Sequence, residues 1–102
     1  MPRVQVCTVA ELRDNAMRRF LLNGHEILLA KISDQYYAVN ERCTHRGGPL
    51  SEGRLEGFNV TCPLHFGEFK LKTGKATCTP ASDPLRTYHV SVDAEHVYVD
   101  LP

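Results

Sequence analysis

Neither sign of charge is in excess in this 102-residue chain, where twelve Lys and Arg are matched by twelve Asp and Glu. Nor is either sign segregated: residues 1–40 hold five basic and four acidic side chains, the remainder seven and eight. Without a basic stripe to follow a phosphate backbone, nucleic acid is not an expected partner. Long hydrophobic runs are missing too. The longest, Ile27 to Ala30, falls far short of the ~20 apolar residues that cross a bilayer as a helix, so no membrane association is expected. The opening MPRVQVCTVAEL has neither the apolar core of a signal peptide nor a myristoylation glycine after Met1. The expected compartment is therefore the cytoplasm. Repeats, low-complexity tracts and linker-like stretches are absent, and the length suits one domain, residues 1–102, with a single modest core.

What is present is a texture of short apolar runs cut by turn residues, which predicts an all-β domain. Arg18 to Leu22 and Glu26 to Ile32 read as strands flanking Asn23-Gly24, a hairpin signal because both residues tolerate positive φ. Tyr36 to Val39 follows the polar Ser33-Asp34-Gln35 turn. Phe58 to Thr61 and Phe69 to Leu71 are further strands, the latter meeting a turn at Lys72 to Lys75. Tyr88, Val90 and Val92 alternate with His89 and Ser91, and Val97 and Val99 flank Tyr98, the period of two of a half-buried antiparallel hairpin. Val9 to Met17 reads as a faint helix or a loop with one turn.

The four cysteines are few enough to be weighed singly. A reducing compartment disfavours two structural disulfides. Cys7 and Cys78 are read as small apolar core residues rather than a redox pair. Cys43 and Cys62 are different, because each sits with a histidine: Cys43-Thr44-His45 and Cys62-Pro63-Leu64-His65. Residues two apart in extended chain project to the same side, and residues three apart do so around a turn that Pro63 helps to set. Each packet thus offers one sulfur and one nitrogen, a donor set that suits zinc, copper or an iron–sulfur cluster. A structural zinc site ordinarily pairs Cys with Cys and His with His at short spacing, a pattern this chain lacks. A Cys–His catalytic pair lacks any orienting third group. Gly47, Gly48 and Gly67 allow close backbone approach, and Pro49, Leu64, Phe66 and Pro80 offer an apolar cover.

Cys-x-His, sixteen residues, then Cys-x-x-His resembles the Rieske [2Fe–2S] motif. The resemblance continues through Arg46-Gly47-Gly48-Pro49-Leu50-Ser51-Glu52-Gly53 after the first packet. It continues again through Gly67-Glu68-Phe69 and Thr73-Gly74-Lys75 after the second, and through Pro80, Pro84-Leu85 and Tyr88 in a proline loop. It implies an antiparallel β-sandwich bearing a small cluster-binding subdomain, about residues 41–84, made of two ligand loops and the proline loop. It implies one [2Fe–2S] cluster, with Cys43 and Cys62 on one iron and His45 and His65 on the other. Two thiolates and two neutral imidazoles leave an oxidised cluster neutral, where four thiolates would leave it dianionic, so its potential lies above that of all-cysteine clusters. High-potential members add a disulfide between the loops and two hydroxyl donors; the matching positions here are Gly48, Leu64, Gly67 and Phe69. A potential near the low end of the Rieske range is expected. Arg46 is a weak counterweight, screened by solvent.

The short members without the disulfide resemble ferredoxin components of bacterial aromatic ring-hydroxylating dioxygenases. The implied function is one-electron transfer from an NAD(P)H-dependent ferredoxin reductase to a terminal oxygenase, with no catalysis by the chain itself. Both partners would dock transiently on a monomer, around His45, Arg46, Pro49, Leu64, His65, Phe66 and Pro80. The alternative is a fixed subunit like the small Rieske-type subunit of assimilatory nitrite reductase; a structural zinc module is a remote third. His25, His89 and His96 are read as surface or strand histidines, Arg18-Arg19 as a solvated strand face, and Tyr36, Tyr37, Phe58 and Phe69 as core.

Overall fold

Eleven short strands make up nearly all the regular structure in the computed structural model, which describes residues 3–42, 47–63, 67–78 and 84–101. In chain order they are β1 Arg3–Thr8, β2 Ala16–Leu22, β3 His25–Ile32, β4 Gln35–Asn40, β5 Arg54–Glu56, β6 Asn59–Thr61, β7 Glu68–Lys70, β8 Ala76–Cys78, β9 Thr87–Tyr88, β10 Val90–Val92 and β11 His96–Asp100, with a 3₁₀ turn at Leu50–Glu52. All the pairings are antiparallel and form three sheets, ordered β1-β11-β10, β2-β3-β4-β9 and β5-β6-β7-β8. The expectation of an all-β, antiparallel fold is met.

The central sheet is shared between two cores, and β3 shows why. Leu28, Ala30 and Ile32 pack with Val39, Leu50, Val60, Cys62, Phe69, Leu71 and Leu85, toward the β5–β8 sheet. Ile27 and Leu29, on the opposite face, pack with Cys7, Leu12, Ala38, Val97, Val99 and Leu101, toward the terminal sheet. A strand covered on both faces has no solvent side to alternate with. The Ile27–Ala30 run is therefore the signature of the middle layer, and all four residues are wholly buried. Each large one contributes about 1.5–3 kcal/mol by leaving water.

The predicted Asn23-Gly24 turn joins β2 to β3 with φ of 48° and 83°. Ser33 and Asp34 make a second two-residue turn with φ of 51° and 63°, steadied by the Asp34 N–H donating to Asp14 Oδ1 at 3.0 Å. Of the two readings of Val9 to Met17 the turn-bearing loop holds over residues 9–15 and the helix does not, while β2 already begins at Ala16. A correction concerns Tyr88 to Val92. The chain breaks at His89: β9 joins β4 in the central sheet, whereas β10 pairs with β11 in the terminal one. One apolar alternation hides a change of sheet, and Val92 is left exposed at 47%. The short strands β1, β5 and β8 had no counterpart among the sequence expectations.

Candidate metal centre

The described residues on either side of each expected ligand packet are held by several independent contacts. The first loop is closed by an antiparallel bridge between Arg42 and Pro49, with the Leu50 N–H donating to the Glu41 carbonyl at 2.9 Å. Each residue leading into Cys43 has its own tether. Asn40 Oδ1 accepts from the Tyr88 hydroxyl at 2.6 Å, and the Asn40 N–H donates to the Arg86 carbonyl at 3.0 Å. Glu41 is completely buried; its carboxyl accepts from the Ser51 N–H at 3.0 Å and the Ser51 hydroxyl at 2.6 Å. Arg42 donates to the Gly47 carbonyl at 3.3 Å from one nitrogen and to Glu26 from the other two. Gly47, at φ 69°, takes the left-handed conformation that a side chain would strain.

The second loop is closed by the Cys62 N–H donating to the Gly67 carbonyl at 2.8 Å, one step beyond the β6–β7 ladder. Cys62 is wholly buried, seated among Leu50, Val60 and Phe69. The two loops are brought together by Gly53. A Cβ there would stand 1.9 Å from the Thr61 carbonyl oxygen, so only glycine lets the segment leaving the first loop lie on the residue preceding Cys62. Arg54 then pairs with Thr61 in the sheet. Gly74 makes a similar close approach to Leu85: a Cβ would stand 2.2 Å from the Leu85 carbonyl oxygen, and the Leu85 N–H donates to the Gly74 carbonyl at 2.6 Å.

Of the expected site residues, Cys62 and Pro49 lie within the described structure, the one buried and the other partly so. Cys43, His45, Arg46, Leu64, His65, Phe66 and Pro80 lie outside the described residues, as does the side chain of Cys78. Cys7 is buried, and burial foremost, with Glu11 adding, pushes its thiol above the ordinary value, as befits an inert core cysteine. Phe69 is fully buried, and Tyr37 and Phe58 meet edge-to-face at 6.0 Å beside the same core. Glu41, Arg42 and Tyr88 escaped sequence reasoning as supports of the first loop. Glu41 carried one signal, a charged residue closing an apolar strand directly ahead of a ligand packet.

The expected donor set, two thiols and two imidazoles on segments whose near ends meet where Gly53 lies on Thr61, would suit an iron–sulfur centre. The chain matches the Rieske [2Fe-2S] domain model over residues 2–89 and belongs to that family. It is 43% identical to the 3-phenylpropionate/cinnamic acid dioxygenase ferredoxin subunit of Shigella boydii serotype 4 (strain Sb227), across 100% of this chain and 96% of that one. Among solved structures it resembles the ferredoxin of carbazole 1,9a-dioxygenase from Nocardioides aromaticivorans IC177, with TM-score 0.93, 31% identity and 97% of both chains covered. It also resembles a chain in the complex of reduced oxygenase and oxidized ferredoxin of carbazole 1,9a-dioxygenase, with TM-score 0.91, 34% identity, and 95% and 91% covered.

Proposed function

We propose that this chain is the ferredoxin component of an aromatic ring-hydroxylating dioxygenase system, carrying single electrons from an NAD(P)H-dependent reductase to a terminal oxygenase. Cys43 and Cys62 would hold one iron of a [2Fe–2S] cluster, and His45 and His65 the other. When bound, such a cluster supplies a one-electron couple raised by its imidazole ligands. The observation that carries the reading is Gly53 lying on Thr61, which sets the roots of both ligand-bearing loops side by side. The similarity to named ferredoxin subunits along the whole chain favours a carrier over a catalyst.

The chain's own residues do the rest. The buried Cys62 backs its loop against the core, which keeps water from the sulfur side. The tethers on Asn40, Glu41 and Arg42 hold the strand end that delivers Cys43, so little reorganisation accompanies a change of charge. Docking would use His45, Arg46, Pro49, Leu64, His65, Phe66 and Pro80. An interface of that size suits brief encounters. Among the described residues, no helix is long and apolar enough to cross a membrane. The proposed compartment is the cytoplasm and the proposed form a monomer, with 41–84 as the cluster-binding part of a single domain.

The test is a reconstituted electron-transfer assay with purified, iron-loaded protein. It should be red-brown, be reduced by NAD(P)H only when a flavoprotein reductase is present, and be reoxidised by an oxidised ring-hydroxylating oxygenase. Replacing His65 should abolish the Rieske spectrum. A colourless, zinc-loaded protein would sink the cluster, and stoichiometric copurification with a nitrite reductase would sink the diffusing carrier.

A further inference from the structure

At the root of the first ligand loop, beside the buried Glu41, three exposed or half-exposed charged groups form a triad with one carboxylate at its centre. Glu26 Oε2 accepts from Arg19 Nη2 at 2.9 Å and Nε at 3.1 Å, and from Arg42 Nη2 at 3.0 Å; Glu26 Oε1 accepts from Arg42 Nε at 3.3 Å. Arg42 turns its remaining nitrogen, Nη1, to the Gly47 carbonyl. The Glu26 backbone joins in, its carbonyl accepting from the Glu41 N–H at 3.2 Å. Hydrogen bonds from Arg42 and then Arg19 hold the Glu26 carboxyl below its ordinary value, so it is ionised throughout the neutral range. The triad therefore carries a net charge of one positive unit, with Arg42 directly preceding Cys43.

We propose that Glu26 tunes the reduction potential of the bound cluster by holding the Arg42 guanidinium across the root of the first ligand loop and offsetting its charge. The inference rests on the ligand assignment above and deepens it. Taking up an electron makes the centre more negative, and a net positive charge nearby favours that state. Because two charges of the pair belong to one contact, removing either alone must move the potential in opposite directions. Removing both restores the original net charge. The side chains of Arg19, Glu26 and Arg42 are 45%, 30% and 51% exposed, so the effect is screened by salt.

The experiment is voltammetry of the iron-loaded protein at low ionic strength, with EPR of each reduced variant. Glu26→Gln leaves two unopposed arginines and should raise the midpoint; Arg42→Gln leaves Arg19 with Glu26 and should lower it. The expected size is about two- to fivefold in the equilibrium constant for electron uptake, that of an exposed ion pair. The double variant should return close to the parent, Arg42→Lys should largely keep the parent value, and added salt should shrink both single shifts. Shifts of the same sign, no shift, or a shift indifferent to salt would overturn the proposal. EPR keeps the two readings apart: a parent protein without a Rieske spectrum refutes the ligand assignment, whereas an intact spectrum with unmoved potentials refutes the role of Glu26 alone.

Discussion

Glu41 shows at the scale of one residue how a chain rich in short loops holds a site firmly. Its carboxyl lies in the interior, where an unsatisfied polar group is costly, and Ser51 supplies both a backbone and a hydroxyl donor. Ser51→Ala removes the shorter of the two bonds without adding bulk. It should cost about 1–3 kcal/mol, seen as a lower urea midpoint with an unchanged slope, while Ser51→Thr retains most of the stability. Equal midpoints for Ser51→Ala and parent would show the hydroxyl to be idle. Acid should act on exposed carboxyls in the opposite structural setting. Hydrogen bonds from Arg42 and then Arg19 hold the Glu26 carboxyl below its ordinary value, and the N–H groups of Glu95 and His96 and the Tyr98 hydroxyl do the same for Asp93. Groups with lowered values stabilise the fold fully above their unfolded values and lose that contribution as pH falls through the folded ones. Glu26→Gln should therefore lose less stability than the parent as pH falls through and below the ordinary carboxylate range, measured by urea unfolding at each pH; parallel curves would refute this.

Among the elements, the hinge of the design is the contact between the 3₁₀ turn at Leu50–Glu52, its following Gly53, and strand β6. Gly53→Ala would push a methyl group into the Thr61 carbonyl, and backbone cannot yield as a flexible side chain can. A loss of about 1–3 kcal/mol or more is expected, together with poor iron retention, because the two ligand loops would be forced apart. Gly57, with nothing within 4 Å of its Cβ position, is the control: its alanine variant bears only the φ strain of 57° and should keep its iron. Iron content per chain after purification reads the difference. The family was legible in the sequence through its Cys and His spacing, and so was this Gly-rich segment, because tight turns demand particular residue types at particular positions. So was the β2–β3 hairpin. Legibility failed where structure depends on distant partners. Strands β5 and β8 have only three residues each and little alternation of their own. The break at His89 is set by which neighbour each side finds, β4 for Tyr88 and β11 for Val90, and no local pattern encodes that choice. The Arg42–Glu26 and Glu41–Ser51 pairs span 16 and 10 residues and become visible only once the chain is folded.

For the molecule as a whole, the same layered arrangement that builds the site limits its potential. The central sheet lends one face to the core under the ligand loops, and that core is carbon-rich: Leu28, Leu50, Val60, Phe69 and Leu71 surround the seat of Cys62. Phe69 is wholly buried and carries no hydroxyl, and Gly67 carries no side chain at all, so neither position offers a hydroxyl donor to nearby sulfur. Fewer donors to the sulfurs leave the reduced charge less stabilised. Within the Rieske range of about −150 to +300 mV, the midpoint should lie near the bottom and below roughly +100 mV. It should also fall with rising pH on the alkaline side, because an oxidised iron acidifies a bound imidazole more than a reduced one does. Voltammetry from neutral to strongly alkaline pH measures both quantities in one series. A midpoint above that bound would overturn the low-potential expectation. A potential flat across the whole alkaline range would deny two histidine ligands, because no other residue in the proposed donor set couples a proton to the electron in that way.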